Sequence, residues 1–266
     1  MPIEKINLSM CRYLLKVNRK TCKLALYGEL GRFPLYIDII MSMVKYWIRL
    51  YDEKPKDILL FEALSENITM VTVNNNQQCW LSCIKSILNE CGLSHFYSNS
   101  KSLKNSFLLR LRKCFQCKFE KQWSKLLQIS DKMRTCRLFN SVFKFEKYLS
   151  AVNSDNDRVS MTRFRTSNHK LQIEIGRYTI PKTPINDRTC KNCNLNSVED
   201  ELHFLLNCPK YSHLRGELVS SCFNKNITNT LIIDSQFIWL LSNEDTDVCR
   251  SIAKYLNLCF LLRTKV

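Results

Sequence analysis

Cys190, Cys193, His203 and Cys208 form the pattern C-x2-C-x9-H-x4-C within residues 188–211. Three thiols and one imidazole at these spacings are a ligand set for tetrahedral Zn²⁺. All four corners would be filled by the protein, leaving no open position for a water or substrate. Such an ion folds a segment and does not catalyse. The competing reading is three buried cysteines and a hydrogen-bonded histidine in a reduced core.

A metal reading constrains the elements that must carry these residues. Cys190-Lys191-Asn192-Cys193 reads as a tight turn. Ser197-x-x-Asp200 has capping-box spacing, so a helix is expected to start near Val198, with Glu199, Asp200 and Glu201 at the positive end of its dipole. His203 then falls about one and a half turns in. Cys208 follows the last turn, and Pro209 stops propagation. Val198, Leu202, Leu205 and Leu206 supply apolar packing. Other candidates fit less well. Cys114-x2-Cys117 lies mid-helix among Phe and Lys and reads as core packing, and His213 and Cys222 match the ligand spacing poorly. Gly28-Glu29-Leu30-Gly31 reads either as a backbone clamp for nucleic acid or, more simply, as a turn between helices.

With 5 Gly and 6 Pro in 266 residues, the chain has too few turn-formers for a many-stranded β fold, so a mainly α, multi-helix assembly is expected. The net charge of +16 implies an anionic partner. Residues 101–188 carry 20 of the 40 Lys and Arg but 7 of the 24 Asp and Glu, so phosphate contacts are expected there. No secretory signal or membrane-spanning run is read. The 14 Cys are therefore expected to be reduced, in an intracellular protein of cytoplasm or nucleus with no membrane partner.

Helical periodicity recurs along the chain. Residues 4–18 place Ile6, Met10, Leu14 and Leu15 on one side. Residues 35–52 follow Pro34 with an i, i+3, i+4, i+7 stripe. Helices are expected at 58–72 and 78–91, split by a loop at 74–78 and stopped by Gly92. Residues 102–128 form one long helix with Leu103, Phe107, Leu111, Phe115, Phe119 and Trp123 four apart, and a shorter helix covers 136–149. Residues 153–157 read as a linker. Two short helices lie in 157–178, around 166–168, followed by extended chain at 179–189 and helices at 209–223 and 247–263. Residues 231–233 and 237–241 are ambiguous between strand and helix. Three regions result: 1–152, helical; 153–225, basic helices with the CCHC segment; 226–266, a helical tail.

Three strings, at 25–51, 161–178 and 188–215, together resemble the C-terminal region of reverse-transcriptase proteins from invertebrate non-LTR retrotransposons, which end in a zinc-binding segment. The resemblance spans about residues 1–220 in order. It implies that 1–152 corresponds to the part following the polymerase and that the CCHC ligands fall on Cys190, Cys193, His203 and Cys208. It also implies RNA or DNA as partner, with the polymerase part of a parent protein as a further one. No catalytic residue carries over, because the palm motif F/Y-x-D-D is absent from all 266 positions.

The expectation is a non-catalytic, nucleic-acid-binding chain without a small-molecule substrate. Arg163, Arg165, His169, Lys170 and Arg177 are the expected phosphate contacts, and Phe164 and Tyr178 the expected stacking aromatics. The alternative is an inactive structural or protein-interaction remnant, which an N-terminal helix that fails to pack on the rest would favour.

Overall fold

The computed structural model describes residues 2–53, 58–73, 79–98, 105–223 and 233–264. Within them the regular structure is helical, apart from one isolated antiparallel bridge between Thr189 and Val198. No described helix is long and apolar enough to cross a membrane.

The first two helices are α1 (Pro2–Leu15) and α2 (Lys23–Leu30). The expected apolar side of α1 is mostly its outer side: Ile6, Met10 and Leu14 are exposed, whereas Asn7, Cys11 and Leu15 are buried. Cys11 and Leu15 pack with Leu26 of α2, so the buried stripe is one residue round from the most apolar one. Gly31 ends α2 in the left-handed conformation, φ 54°, with its N–H and that of Arg32 returning to Gly28 and Tyr27 carbonyls. A Cβ on Gly28 would meet Trp123 at 2.8 Å. These two contacts account for the paired glycines as a helix stop and a close approach.

Then follow α3 (Leu35–Glu53), α4 (Ile58–Val73), α5 (Trp80–Glu90), α6 (His95–Ser98) and α7 (Asn105–Ile129). The predicted stripes are realised where described; Leu103 lies outside the described residues. Ile37, Met41, Val44 and Trp47 of α3 are buried, as are Phe107, Leu111, Phe115, Phe119, Trp123 and Leu127 of α7. Gly92 stops α5 at φ 67°, and Leu93 N–H closes back on Leu88 O at 2.8 Å. The loop expected at 74–78 lies outside the described residues.

The remaining helices are α8 (Cys136–Phe139), α9 (Tyr148–Ala151), α10 (Asp155–Arg165), α11 (Gln172–Ile175), α12 (Ser212–Phe223), α13 (Ile233–Ser242) and α14 (Thr246–Thr264). Residues 136–149 are thus two short helices, not one, because the intervening chain turns to bring Glu146 N–H onto Glu29 O at 3.0 Å. The ambiguous residues 237–241 are helical, in α13.

Two compact units emerge, and their limits differ from the three regions expected. A middle unit holds Phe33–Gln122; a larger unit joins Glu4–Arg32 to the chain from Trp123 onward. No break falls at 153–157, where Ser154 Oγ caps α10 by accepting Asp157 N–H. The described part of 226–266 is not a tail either, since α14 packs against α9, α10, α12 and α13 at the centre of the larger unit. Its aromatic core is Phe164, Phe204, Tyr211 and Phe260, with Phe204 and Phe260 stacked at 4.9 Å between centroids.

Candidate metal centre and basic cleft

The turn at 190–193 is closed by the short bridge flanking it. Cys190 N–H donates to Ser197 O and Glu199 N–H to Arg188 O, both at 2.9 Å, and Asn192 N–H points at Cys190 Sγ from 3.4 Å. Val198 therefore belongs to an extended pair, and the helix expected near it begins later. Asp200, not Ser197, caps that helix: its Oδ1 accepts His203 N–H at 2.8 Å. Two helical residues later the chain widens into a π-helix, His203–Asn207, closed by Cys208 N–H on His203 O at 2.7 Å.

The π turn has a geometric reason. In an α-helix, residues five apart lie about 140° apart round the axis, so His203 and Cys208 would face different ways. One extra residue per turn brings them to the same side. Arg215 and Tyr255 then satisfy carbonyls at the end of that turn. Arg215 donates to Leu205 O at 3.0 Å and to Cys208 O at 2.8 Å, and the Tyr255 hydroxyl donates to Leu205 O at 2.9 Å.

The outcome is that ligand atoms of Cys190, Cys193, His203 and Cys208 all lie within 4.8 Å of one another. Cys193 Sγ is 3.5 Å from His203 Nε2. Zn–S and Zn–N bonds of about 2.3 and 2.0 Å in a tetrahedron put ligand atoms about 3.5–3.8 Å apart. The separations exceed that edge by at most about 1 Å, so the four side chains could hold one metal ion after a small inward shift. Burial pushes the Cys190 thiol up to about 12 and raises that of Cys208, while burial lowers His203 and keeps it neutral. Neutral imidazole is the ligating form. The buried thiolates need a cation beside them to persist.

Two buried carboxylates flank the cluster: Glu199 lies in the extended pair before the helix, and Glu201 is the first residue of the helix, as the dipole expectation has it. Glu199 accepts from Arg263 through both oxygens, from Asn192 Nδ2 at 3.2 Å and from Gln172 N–H at 2.9 Å, and its Oε1 lies 3.6 Å from Cys190 Sγ. Glu201 binds Arg134 at 2.7 Å and His169 Nε2 at 3.0 Å. Burial alone would raise the Glu201 carboxyl, but the His169 hydrogen bond and the Arg134 charge outweigh it and hold it at about 2.

A cleft of about 770 Å³ opens beside this carboxylate pair. Lys16, Arg163, Lys170 and Arg263 line it, and among the described residues no Asp or Glu does. Arg163 and Lys170 are exposed, and neither forms an ion pair among the described residues. Arg163 is oriented by donating from Nε to Lys16 O at 3.2 Å, which leaves its terminal nitrogens toward solvent. Lys16 is held by Asp155 and Arg263 by Glu199. Val17, Ile175 and Phe260 give the cleft apolar surface.

Of the expected contacts, Arg163, Lys170 and His169 meet at this cleft, although His169 is committed to Glu201. Arg165 is corrected. It is 1% exposed and paired with Glu29 and Glu146, with its guanidinium over the Phe139 ring at 4.4 Å. It cannot meet a phosphate. Burial pushes its partner Glu146 up to about 7 despite the Arg165 charge. Phe164 is fully buried in the aromatic core and cannot stack on a base. Arg177 is occupied by Glu174 and by Asp131 O. Tyr178 is exposed, under Lys20 at 5.0 Å, and does not line the cleft. Sequence reasoning missed Lys16, Phe260 and Arg263, which reach the cleft from both ends of the chain and carry no local signal. The π turn was not foreseen either: the spacing read as an α-helix ending just before Cys208.

Comparison with family models, with curated proteins and with solved structures finds no match for this chain.

Proposed function

We propose that the larger unit is a non-catalytic nucleic-acid-binding module organised by a structural Zn²⁺ at Cys190, Cys193, His203 and Cys208, in the manner of the retrotransposon C-terminal segments its sequence resembles. The observation that carries this reading is a cleft presenting Arg163 and Lys170, with no Asp or Glu among its described lining, linked through Arg263 and Glu199 to a four-residue cluster that could hold a metal ion. The ion would pin the turn and the π-helix together. Arg163 and Lys170 would neutralise phosphates and release their counterions, with Lys16 adding charge at the rim.

The test is a salt titration of binding to short RNA and DNA strands. Arg163→Ala with Lys170→Ala is expected to weaken binding and to reduce the slope of log K against log salt by roughly 1.4, two phosphates at about 0.7 each. No binding of wild type at low salt refutes the reading.

A second reading, an interaction remnant, is favoured by the exposed apolar stripe Ile3, Ile6, Met10, Tyr13 and Leu14 on α1. Against it, α1 packs firmly through Cys11 and Leu15. A chain that binds no strand, yet loses self-association or a protein partner on Ile6→Ser with Tyr13→Ser, would establish this second reading.

A further inference from the structure

Resting on the nucleic-acid reading above, we infer that the cleft takes the exposed face of an unpaired base, so that the ligand is a single strand and not a duplex. Charge alone does not make this distinction, because both present phosphates. The apolar part of the cleft does. Phe260, Ile175 and Val17 lie in the same recess as Arg163 and Lys170. In a duplex the base faces are covered by stacking, and what is offered is phosphate, sugar and groove edge. Only an unstacked base has an apolar face to lay in such a recess.

The volume agrees: about 770 Å³ lies within the roughly 300–1,000 Å³ of sites that enclose a small molecule, which is room for a nucleotide and its neighbouring phosphates. Phe260 is the residue placed to receive the base. One part of its ring is covered by Phe204, stacked at 4.9 Å with 24° between planes, and Phe164 lies 6.5 Å away. Phe204 and Phe164 are both fully buried and do not line the cleft, so Phe260 is the member of this aromatic stack that reaches it. A base against Phe260 extends a stack the core already holds rigid, so little side-chain entropy is lost on binding. Asn168 lines the same recess and has no hydrogen-bond partner for its amide among the described residues, which leaves it able to meet a base edge. The sequence pointed to Phe164 for this role. The fold buries that ring and presents Phe260 in its place.

The experiment compares, with the full chain purified in the presence of zinc, three labelled probes of about a dozen nucleotides: oligo(dT) or oligo(U), an abasic strand of the same length and charge, and a duplex. Anisotropy at low salt is expected to show the base-bearing single strand binding about tenfold more tightly than the abasic one, the scale of one stacked base. Phe260→Leu should remove most of that difference, whereas Arg163→Ala with Lys170→Ala should weaken every probe. Should Phe260→Leu fail to fold, methyl NMR of the wild type provides the readout, with Ile175 shifting on addition of oligo(dT) and not of the abasic strand. Equal affinity for abasic and base-bearing strands, or preference for the duplex, overturns the inference while leaving the nucleic-acid reading standing. Failure of all three probes to bind overturns both.

Discussion

Arg263 and Glu199 connect the cysteine cluster to the cleft, and a double-mutant cycle on them measures how strongly. The side chains are 14% and 1% exposed, and Arg263 Nη2 lies 2.9 Å from Glu199 Oε2 beside a second contact from Nη1. Two unit charges with centres about 4 Å apart at an effective dielectric of about 20 attract by about 4 kcal/mol. Desolvation of both ions offsets part of this, so the expected coupling energy is about 2–3 kcal/mol. Arg263→Gln leaves Glu199 buried and uncompensated, and should cost about 3 kcal/mol, or roughly 6–12 °C in a chain of this size. Glu199→Gln keeps an acceptor for Asn192 and should cost less. The double variant should be more stable than the sum of the two single losses by the coupling energy. Because the Glu199 charge lies against Cys190 and raises its thiol, Glu199→Gln should ease formation of the ligating thiolate, so zinc affinity measured by chelator competition should hold or rise. Thermal melts of the four proteins decide the matter. Additive losses, with a coupling under about 0.5 kcal/mol, would show that the pair is not a structural link and refute the reasoning.

Zinc quantification on purified wild type should give one ion per chain, and Cys208→Ser should lose it together with amide protection across residues 188–211; a metal-free wild type with those amides protected removes the metal. The Glu146 carboxyl, raised from an ordinary 4.5 to about 7, makes the folded state bind an extra proton between those values, so stability should fall as pH rises from 4.5 to 7, by at most about 3 kcal/mol. Glu146→Gln, which mimics the protonated form, should flatten the dependence of Tm on pH across that window, and parallel curves for the two proteins contradict the assignment. Gly31→Ala should destabilise by more than about 1 kcal/mol, because φ is 54° and the new Cβ would lie 2.3 Å from Phe145 N; an unchanged Tm would show that this turn can relax.

The Cys/His cluster was legible in the sequence because it is local: four residues within 19 positions need little of the rest of the chain to meet. The long stripes of α3 and α7 were legible too, since four-residue spacing of large apolar groups leaves a helix one face to bury. Tertiary structure decided which charged and aromatic groups are available. Arg163 and Arg165 are two residues apart on α10, yet one is exposed at a cleft and the other is sealed among Glu29, Glu146 and Phe139. Helix periodicity puts them on different faces but cannot say which face the protein covers. The same holds for α1, where Ile6 and Met10 face outward because the partner, Leu26, meets the side carrying Cys11 and Leu15. The cleft joins Lys16 to Arg263 across nearly the whole chain, and only packing of α14 against α10 sets that proximity. A local cluster of side chains forms over a few residues and is written in their spacing, whereas burial depends on every element that comes to rest nearby.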